Sequence, residues 1–311
     1  MLTKLKYWND VSTYFRLFNS LIKKLKLKNT HLNHLLLLNL GMLFVSTSGV
    51  LGRYISLAPP VSIWFRSLIA IFVLIIYTIY KKKSLQIEWK KYGLPVFWSG
   101  FLMGLHWITY FFALQWSNVA IGMLSLFTYP IITVFLEPLF MSVKLQRRHL
   151  FLGIIVLIGI YFLVPDFNLK SSATQGLLIG LISAFAYSLR NIISKKHNAM
   201  GRGSQQMIYQ LSVIIILLIP VHWIYPNTNL SNEWPYLIIL GIITTALGHT
   251  LFISSFSHFR ISTVSIMSSI QPLFGVLLGA LFLNEIPDFK SIFGGVLILA
   301  TVVIESRMSK I

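Results

Sequence analysis

Six side chains in this sequence sit where charge or titration is costly. Arg53, Arg66, Arg190, Glu137, His106 and His249 each interrupt a run of residues otherwise fit for lipid. A charge at mid-membrane costs roughly 2.5 to 3.5 kcal/mol on insertion scales, so such residues are candidates for function. Arg66, in "WFRSLIA", offers a fixed positive charge to a carboxylate or phosphate. It lies about six residues from the outer end of its segment, so it is equally placed to snorkel and anchor. Glu137, in "FLEP", is the sole acid within the body of an apolar segment; it can hold a proton or pair with Arg190 in gating or ion coupling, with Lys144 and Arg148 as other partners. His106 and His249 carry imidazoles that titrate near neutral pH, or serve as hydrogen-bonded walls. Acids and histidines at ligand spacing are missing, so no metal site is expected.

Uncharged polar groups cluster in the same segments. Ser48, Trp107, Tyr110, Ser125, Tyr129, Tyr187, Thr245, Ser269 and Gln271, with Arg66, His106 and His249, are the candidate substrate-binding residues. A cavity of hydroxyls, amides, imidazoles and aromatic faces suits an amphipathic small organic molecule. The competing use of Ser and Thr is to return the hydroxyl to a carbonyl of their own helix.

The elements that position these residues follow from composition. The chain has 311 residues, 56% hydrophobic and 11% charged, with a mean hydropathy of +0.75; soluble domains carry about 25% charged residues. Ten apolar segments, 34–55, 60–80, 93–115, 118–141, 150–164, 175–195, 204–225, 235–256, 261–283 and 288–305, recur along the chain. Crossing roughly 30 Å of hydrocarbon calls for helices, which satisfy their own backbone in lipid. An all-α integral membrane protein with ten transmembrane helices is expected. The net charge of +18 sits between spans, so nucleic acid is not the expected partner. With the N-terminus in the cytoplasm, inner segments hold 21 Lys and Arg and outer segments two, Lys170 and Lys290. That asymmetry predicts both termini inside a cytoplasmic (cell inner) membrane. Residues 1–33 are basic and amphipathic, either an interfacial helix on an anionic inner leaflet or a frayed tail that enforces topology.

Shifting the sequence by 142 positions brings Pro130 onto Pro272 and yields eight identities over residues 130–157. The same register matches spans three to five with eight to ten, dividing the chain into repeats at 34–165 and 174–305. Five spans per repeat is odd, so the second copy enters the membrane from the opposite side. Inverted repeats of this kind place a site near the midplane. Pro130 and Pro272 fall at equivalent mid-membrane depth and are the expected hinges, since proline removes a ladder hydrogen bond. The pairs Gly100 with Gly104, Gly176 with Gly180, and Gly275 with Gly279 read as packing faces. "FGGVLILA" in span ten suits packing or a homodimer contact better than solute.

The stretches "FRSLIAIFVLIIY" (65–77), "FFALQWSNVAIGMLSLFTYPIITVFLEPLF" (111–140) and "SIMSSIQPLFGVLLGALFLNEIPDFKSIFGGVLILATVVI" (265–304) resemble EamA-type members of the drug/metabolite transporter superfamily. The resemblance implies two inverted-topology five-helix repeats, no cofactor, and export or exchange of small metabolites, amino acids among them. Glu285 in "LFLNEIP" matches the acid that closes the penultimate helix of a repeat; its counterpart in the first repeat is Val143, a departure. Arg66 matches the arginine common in the second helix, and its own repeat counterpart is near Gln210.

The leading expectation is therefore a secondary transporter working by alternating access, not an enzyme. The sequence lacks GxxxxGK[ST], so direct drive by ATP is not expected. Alternatives are an intramembrane transferase built on His106 or His249, which lacks a second acid at depth, a nucleotide-sugar or sugar carrier, and a channel, against which the internal repeat speaks.

Overall fold

A computed structural model of the chain describes residues 30–117, 119–162, 172–197, 203–226, 228–284 and 289–308. Residues 1–29 of the basic N-terminal segment, most of the connection between the repeats, and Glu285 lie outside them. The described residues form helices joined by turns, with no strand among them. Six stretches are long and apolar enough to cross a membrane: His31–Tyr54, Pro59–Tyr80, Trp89–Trp116, Thr174–Lys196, Trp234–Ser255 and Ile261–Leu283. They are spans one, two, three, six, eight and nine. Helix also fills the other four apolar segments: Val119–Leu126 with Tyr129–Phe140 (span four), Arg147–Tyr161 (five), Gly203–Leu217 with Val221–Ile224 (seven) and Phe289–Met308 (ten). The chain divides into a short unit ending at Leu37 and a large one, Leu38–Ile311, which holds the rest of span one and all the others.

Spans four and nine are each broken in the middle, and proline sets the place. Span four stops at Leu126, turns, and restarts at Tyr129 with Pro130 in the first turn. Span nine runs Ile261–Met267, tightens into a 3-10 turn at Ser268–Ile270, and restarts at Gln271 with Pro272 in the first turn. Proline has no N–H to give, and the first turn of a helix asks for none, so each proline opens a new helix instead of kinking a continuous one. Span eight is irregular in another way. Its middle, Leu240–His249, winds as a π-helix, with Thr245 Oγ1 donating to Leu240 O at 2.8 Å.

Packing within the large unit follows an inverted repeat. Span two packs on seven and span five on ten, pairs that map onto themselves under the 142-residue shift; three on seven is mirrored by two on eight. The first half of span nine lies on the second half of four, and the second half of nine on the first half of four. Small residues permit the close contacts. A Cβ on Gly100 would meet Val213 Cβ at 2.6 Å, and one on Gly275 would run into the Met123 side chain. In span ten, Gly294 presses against the carbonyl oxygen of Gly159 in span five. This part of "FGGVLILA" is thus used inside the chain, and the face left outward carries Phe289, Ile292, Phe293 and Val296.

The outer surface is apolar along the spans, with Phe72, Ile76, Phe135, Leu139, Ile182, Phe185, Leu277 and Leu281 exposed. Tyr80, Trp89, Trp116, Tyr161, Trp223 and Trp234 are exposed at or near helix ends. An apolar band with amphipathic rings at its rims is what a bilayer selects. The inside holds polar side chains among the apolar ones, Arg66, His106, Arg190 and His249 with them.

The Gly159–Gly294 contact gives a test. Gly294→Ala drives a methyl group into backbone, which cannot rotate away, and is expected to cost about 1–3 kcal/mol as an overpacked site. Gly295→Ala meets only Leu273 Cδ1, at 3.1 Å, the end of a flexible side chain. Thermal unfolding in detergent should show a clear fall in Tm for the first substitution and little change for the second.

Candidate functional site

Eight of the twelve candidate binding residues surround one cavity at the level of the two breaks. Ser48 comes from span one, His106, Trp107 and Tyr110 from three, Tyr129 from four, Tyr187 from six, His249 from eight and Gln271 from nine, with Val45, Leu126 and Phe127 completing the wall. The cavity volume is about 10 Å³, close to what one water molecule needs. The lining is assembled but closed.

Hydrogen bonding fixes the polar wall. Ser183 Oγ donates to His106 O at 2.9 Å and lies 2.7 Å from His106 Nδ1. Its single proton is used on the carbonyl, so the hydroxyl accepts from Nδ1–H, which leaves Nε2 as the acceptor of the neutral ring. Ser48 donates to Val45 O at 2.7 Å. The Tyr187 ring stacks on His106 with centroids 4.3 Å apart and meets Tyr129 edge-on at 4.8 Å. Trp107 and His249 are repeat equivalents in the sequence, and their rings meet at 5.1 Å. Contact between equivalent positions puts this pair near the pseudo-twofold axis.

The two breaks are bonded to neighbours. Tyr129, opening the second half of span four, gives its hydroxyl to Ser268 Oγ in the 3-10 turn of span nine, and also reaches Ser265 O at 3.3 Å. Ser46 Oγ approaches Gln271 O at 3.3 Å. Gln271 Nε2 lies 2.9 Å from Met42 Sδ.

Two arginines stand behind the wall. Arg66 is fully buried, its guanidinium 4.1 Å over the Trp107 ring and its Nε donating to Thr245 Oγ1 at 2.9 Å. The expectation that it snorkels outward gives way to this inward packing, and Thr245 serves the arginine, outside the cavity lining. Arg66 Nη1 and Nη2 are buried without a hydrogen-bond partner, as is His249 Nδ1. Arg190 is also fully buried, near Tyr187, its ring 6.0 Å from the guanidinium. Its donors go to Gln210 Oε1 at 3.1 and 2.5 Å and to Asn191 Oδ1 at 2.8 Å, where pairing with Glu137 was expected. Glu137, buried, interacts electrostatically with Lys195. Both arginines act electrostatically on both His106 and His249.

Ser125 and Ser269 lie outside the cavity lining. Ser125 Oγ donates to Ile121 O and Gly122 O, both at 3.0 Å, and its side chain fills the space left by Gly180; Ser269 Oγ points to Ser265 O at 3.5 Å. Sequence reasoning passed over Asn191, Lys195 and Glu233. Asn191 follows Arg190 directly and Gln210 had been noted only as a repeat counterpart, so a signal existed for that cluster.

Both ends of the cavity are clasped. At one, Ser56 donates through N and Oγ to Glu233 Oε1 at 3.3 and 2.5 Å, Gln115 Nε2 donates to Leu57 O at 3.0 Å, and Tyr54 OH to Phe282 O. At the other, Lys195 Nζ donates to Phe256 O and, at 2.9 Å, to Phe259 O, Tyr209 OH donates to Leu85 O, and Gln205 Nε2 to Gln86 O at 3.1 Å. Among the described residues no group of three or more His, Asp or Glu could hold a metal.

The bond between the broken spans is open to a double-mutant cycle. Tyr129→Phe and Ser268→Ala remove the same hydrogen bond, so their costs in detergent unfolding should be non-additive by about 0.5–1.5 kcal/mol. Strict additivity would mean the two breaks are energetically independent.

Comparison with known proteins agrees with this architecture. The model of the EamA-like transporter family matches twice, over residues 32–164 and 174–307. The chain is 27% identical over 184 residues to the pseudopaline exporter CntI of Pseudomonas aeruginosa, a match that covers 58% of this chain and 63% of that protein. It therefore spans less than two thirds of that relative. An uncharacterised transporter of Archaeoglobus fulgidus is 25% identical over 191 residues, 61% of this chain and 68% of its own length. A solved crystal structure superposes with a TM-score of 0.75 at 17% identity, covering 89% of this chain and 97% of the other, which speaks to fold alone. With two family copies over most of its length and an apolar outer surface along its spans, the chain belongs to the EamA-like transporter family and is a multi-pass membrane protein.

Proposed function

We propose that the chain is a secondary transporter that moves small organic metabolites across the cytoplasmic membrane by alternating access, with both termini in the cytoplasm. One observation carries the reading: a small buried cavity of mixed polar and aromatic lining where two oppositely placed broken spans meet, with separate sets of hydrogen bonds clasping the span ends. A cavity of about 10 Å³ holds no organic solute, so work requires opening, and the clasps divide opening into two choices. Release of Ser56 from Glu233 opens the outer side; release of Lys195 from the carbonyls of Phe256 and Phe259 opens the inner side. The broken spans supply the joints, since a helix restarted at proline has fewer ladder bonds to strain. Glu137, which interacts electrostatically with Lys195, forms with it the candidate coupling or gating pair; the charge asymmetry of the connecting segments supports an inner-side position.

Export direction draws support from the Pseudomonas relative, an exporter. The lining suits an amphipathic solute with hydrogen-bonding groups, amino acids and their derivatives among them: aromatic faces give contact area, and His106 Nε2, Tyr110, Tyr129 and Gln271 give selectivity through desolvated hydrogen bonds.

Counterflow in proteoliposomes tests the reading. Labelled solute outside should accumulate against preloaded unlabelled solute with no nucleotide present. Pro130→Ala and Pro272→Ala should slow that exchange several-fold while leaving insertion unchanged. Conduction that follows solute concentration linearly, without exchange, would point to a channel.

A further inference from the structure

The transport reading leaves the charge of the solute open, and the interior of this chain bears on it. Arg66 and Arg190 are both without exposed surface. Burying a cation in a protein interior is compensated as a rule by a buried anion or a full set of acceptors. Neither is the case for Arg66, whose Nη1 and Nη2 have no acceptor and whose one bond is to a hydroxyl. Arg190 is held by two neutral amides. The charges that His106 and His249 feel are those of these two arginines. Of the two buried carboxylates among the described residues, Glu137 interacts electrostatically with Lys195, and Glu233, at a span end, accepts from Ser56.

The two guanidinium groups belong to different repeats and flank different walls. Arg66, from span two, lies under Trp107; Arg190, from span six, lies near Tyr187; and both rings line the cavity. Movement of either ring, which the closed cavity needs before it can admit any solute, uncovers the cation behind it. Resting on the transport reading, we propose that the carried solutes are anions with two separated oxyanion groups, carboxylate or phosphate, one received by Arg66 beside Thr245 and His249 and the other by Arg190 beside Asn191 and Gln210. The planar fork of arginine matches both oxyanions, and a solute that brings two negative charges supplies the counter-charges that the two guanidinium groups lack. Ser48, Tyr110 and Gln271 then contact the part of the solute between its charges.

The test is efflux from proteoliposomes loaded with a small-molecule cell extract that has been separated into anionic, neutral or zwitterionic, and cationic pools, with the released solutes identified by mass. Release should be concentrated in the anionic pool, in solutes with two or more acidic groups, and mass distinguishes carboxylates from phosphates. Arg66→Gln and Arg190→Gln should each reduce it at least about tenfold, as expected when one partner of a buried charge pair is removed, and Arg66→Lys should retain part of it. If the glutamine variants do not fold, the distribution of the unmodified protein's release among the three pools still decides. Release from the neutral or cationic pool in preference would overturn the substrate class and leave the transporter standing. No release from any pool would overturn both.

Discussion

A helix interrupted inside a membrane has backbone groups that water cannot reach, and they must be satisfied by protein. That constraint shapes this molecule. Spans four and nine both stop and restart at a proline, at depths the 142-residue shift makes equivalent, and the interrupted regions are placed against one another. Tyr129, from the restart of span four, bonds to the turn of span nine; Ser46 of span one meets the carbonyl of Gln271 at the restart of span nine. The crossing is therefore both the weakest stretch of the helical ladder and the place where side chains must gather. A polar cavity arises there as a consequence.

The same crossing explains how a closed site could serve the proposed transport. Two half-spans packed on the opposite halves of a partner can tilt about the break without losing all of their contacts, and the clasps at the two ends are made of different residues from different repeats. Strength is distributed: a hydroxyl on a carboxylate with an amide and a tyrosine on carbonyls hold one end, and a lysine, an amide and a tyrosine on carbonyls hold the other. The apolar seams lie elsewhere, at spans five and ten and at spans three and six, where glycines bring backbones together. Rigid seams with weakly fastened ends are what a carrier that changes shape requires.

Much of this was legible in the sequence, for a physical reason. A polar residue in a span has nowhere to go but inward, so Ser48, His106, Trp107, Tyr110, Tyr129, Tyr187, His249 and Gln271 could be found by type and depth, and the prolines by their repeat. Direction around a helix was harder to read. Ser125 and Ser269 have the same chemistry as Ser48, yet their hydroxyls turn back on their own helices, a choice made by local space. Arg66 lies at a depth from which a long side chain reaches either the interface or the core, and Trp107, placed by tertiary packing, draws it in. Arg190 was read only as a partner for Glu137, and the π-helical winding of span eight leaves no mark in hydropathy. Lys195 and Glu233 escaped notice because they sit where topology alone accounts for a charge.

The central claim is that solute passes only if the two ends open in turn. It is tested most directly by fixing one end. The sequence has no cysteine, so Ser56→Cys with Glu233→Cys places a single reversible disulfide across the clasp whose side chains already touch. Solute exchange in proteoliposomes should cease when that bond forms and return when it is reduced. Exchange that continues unchanged with the clasp locked would contradict the account.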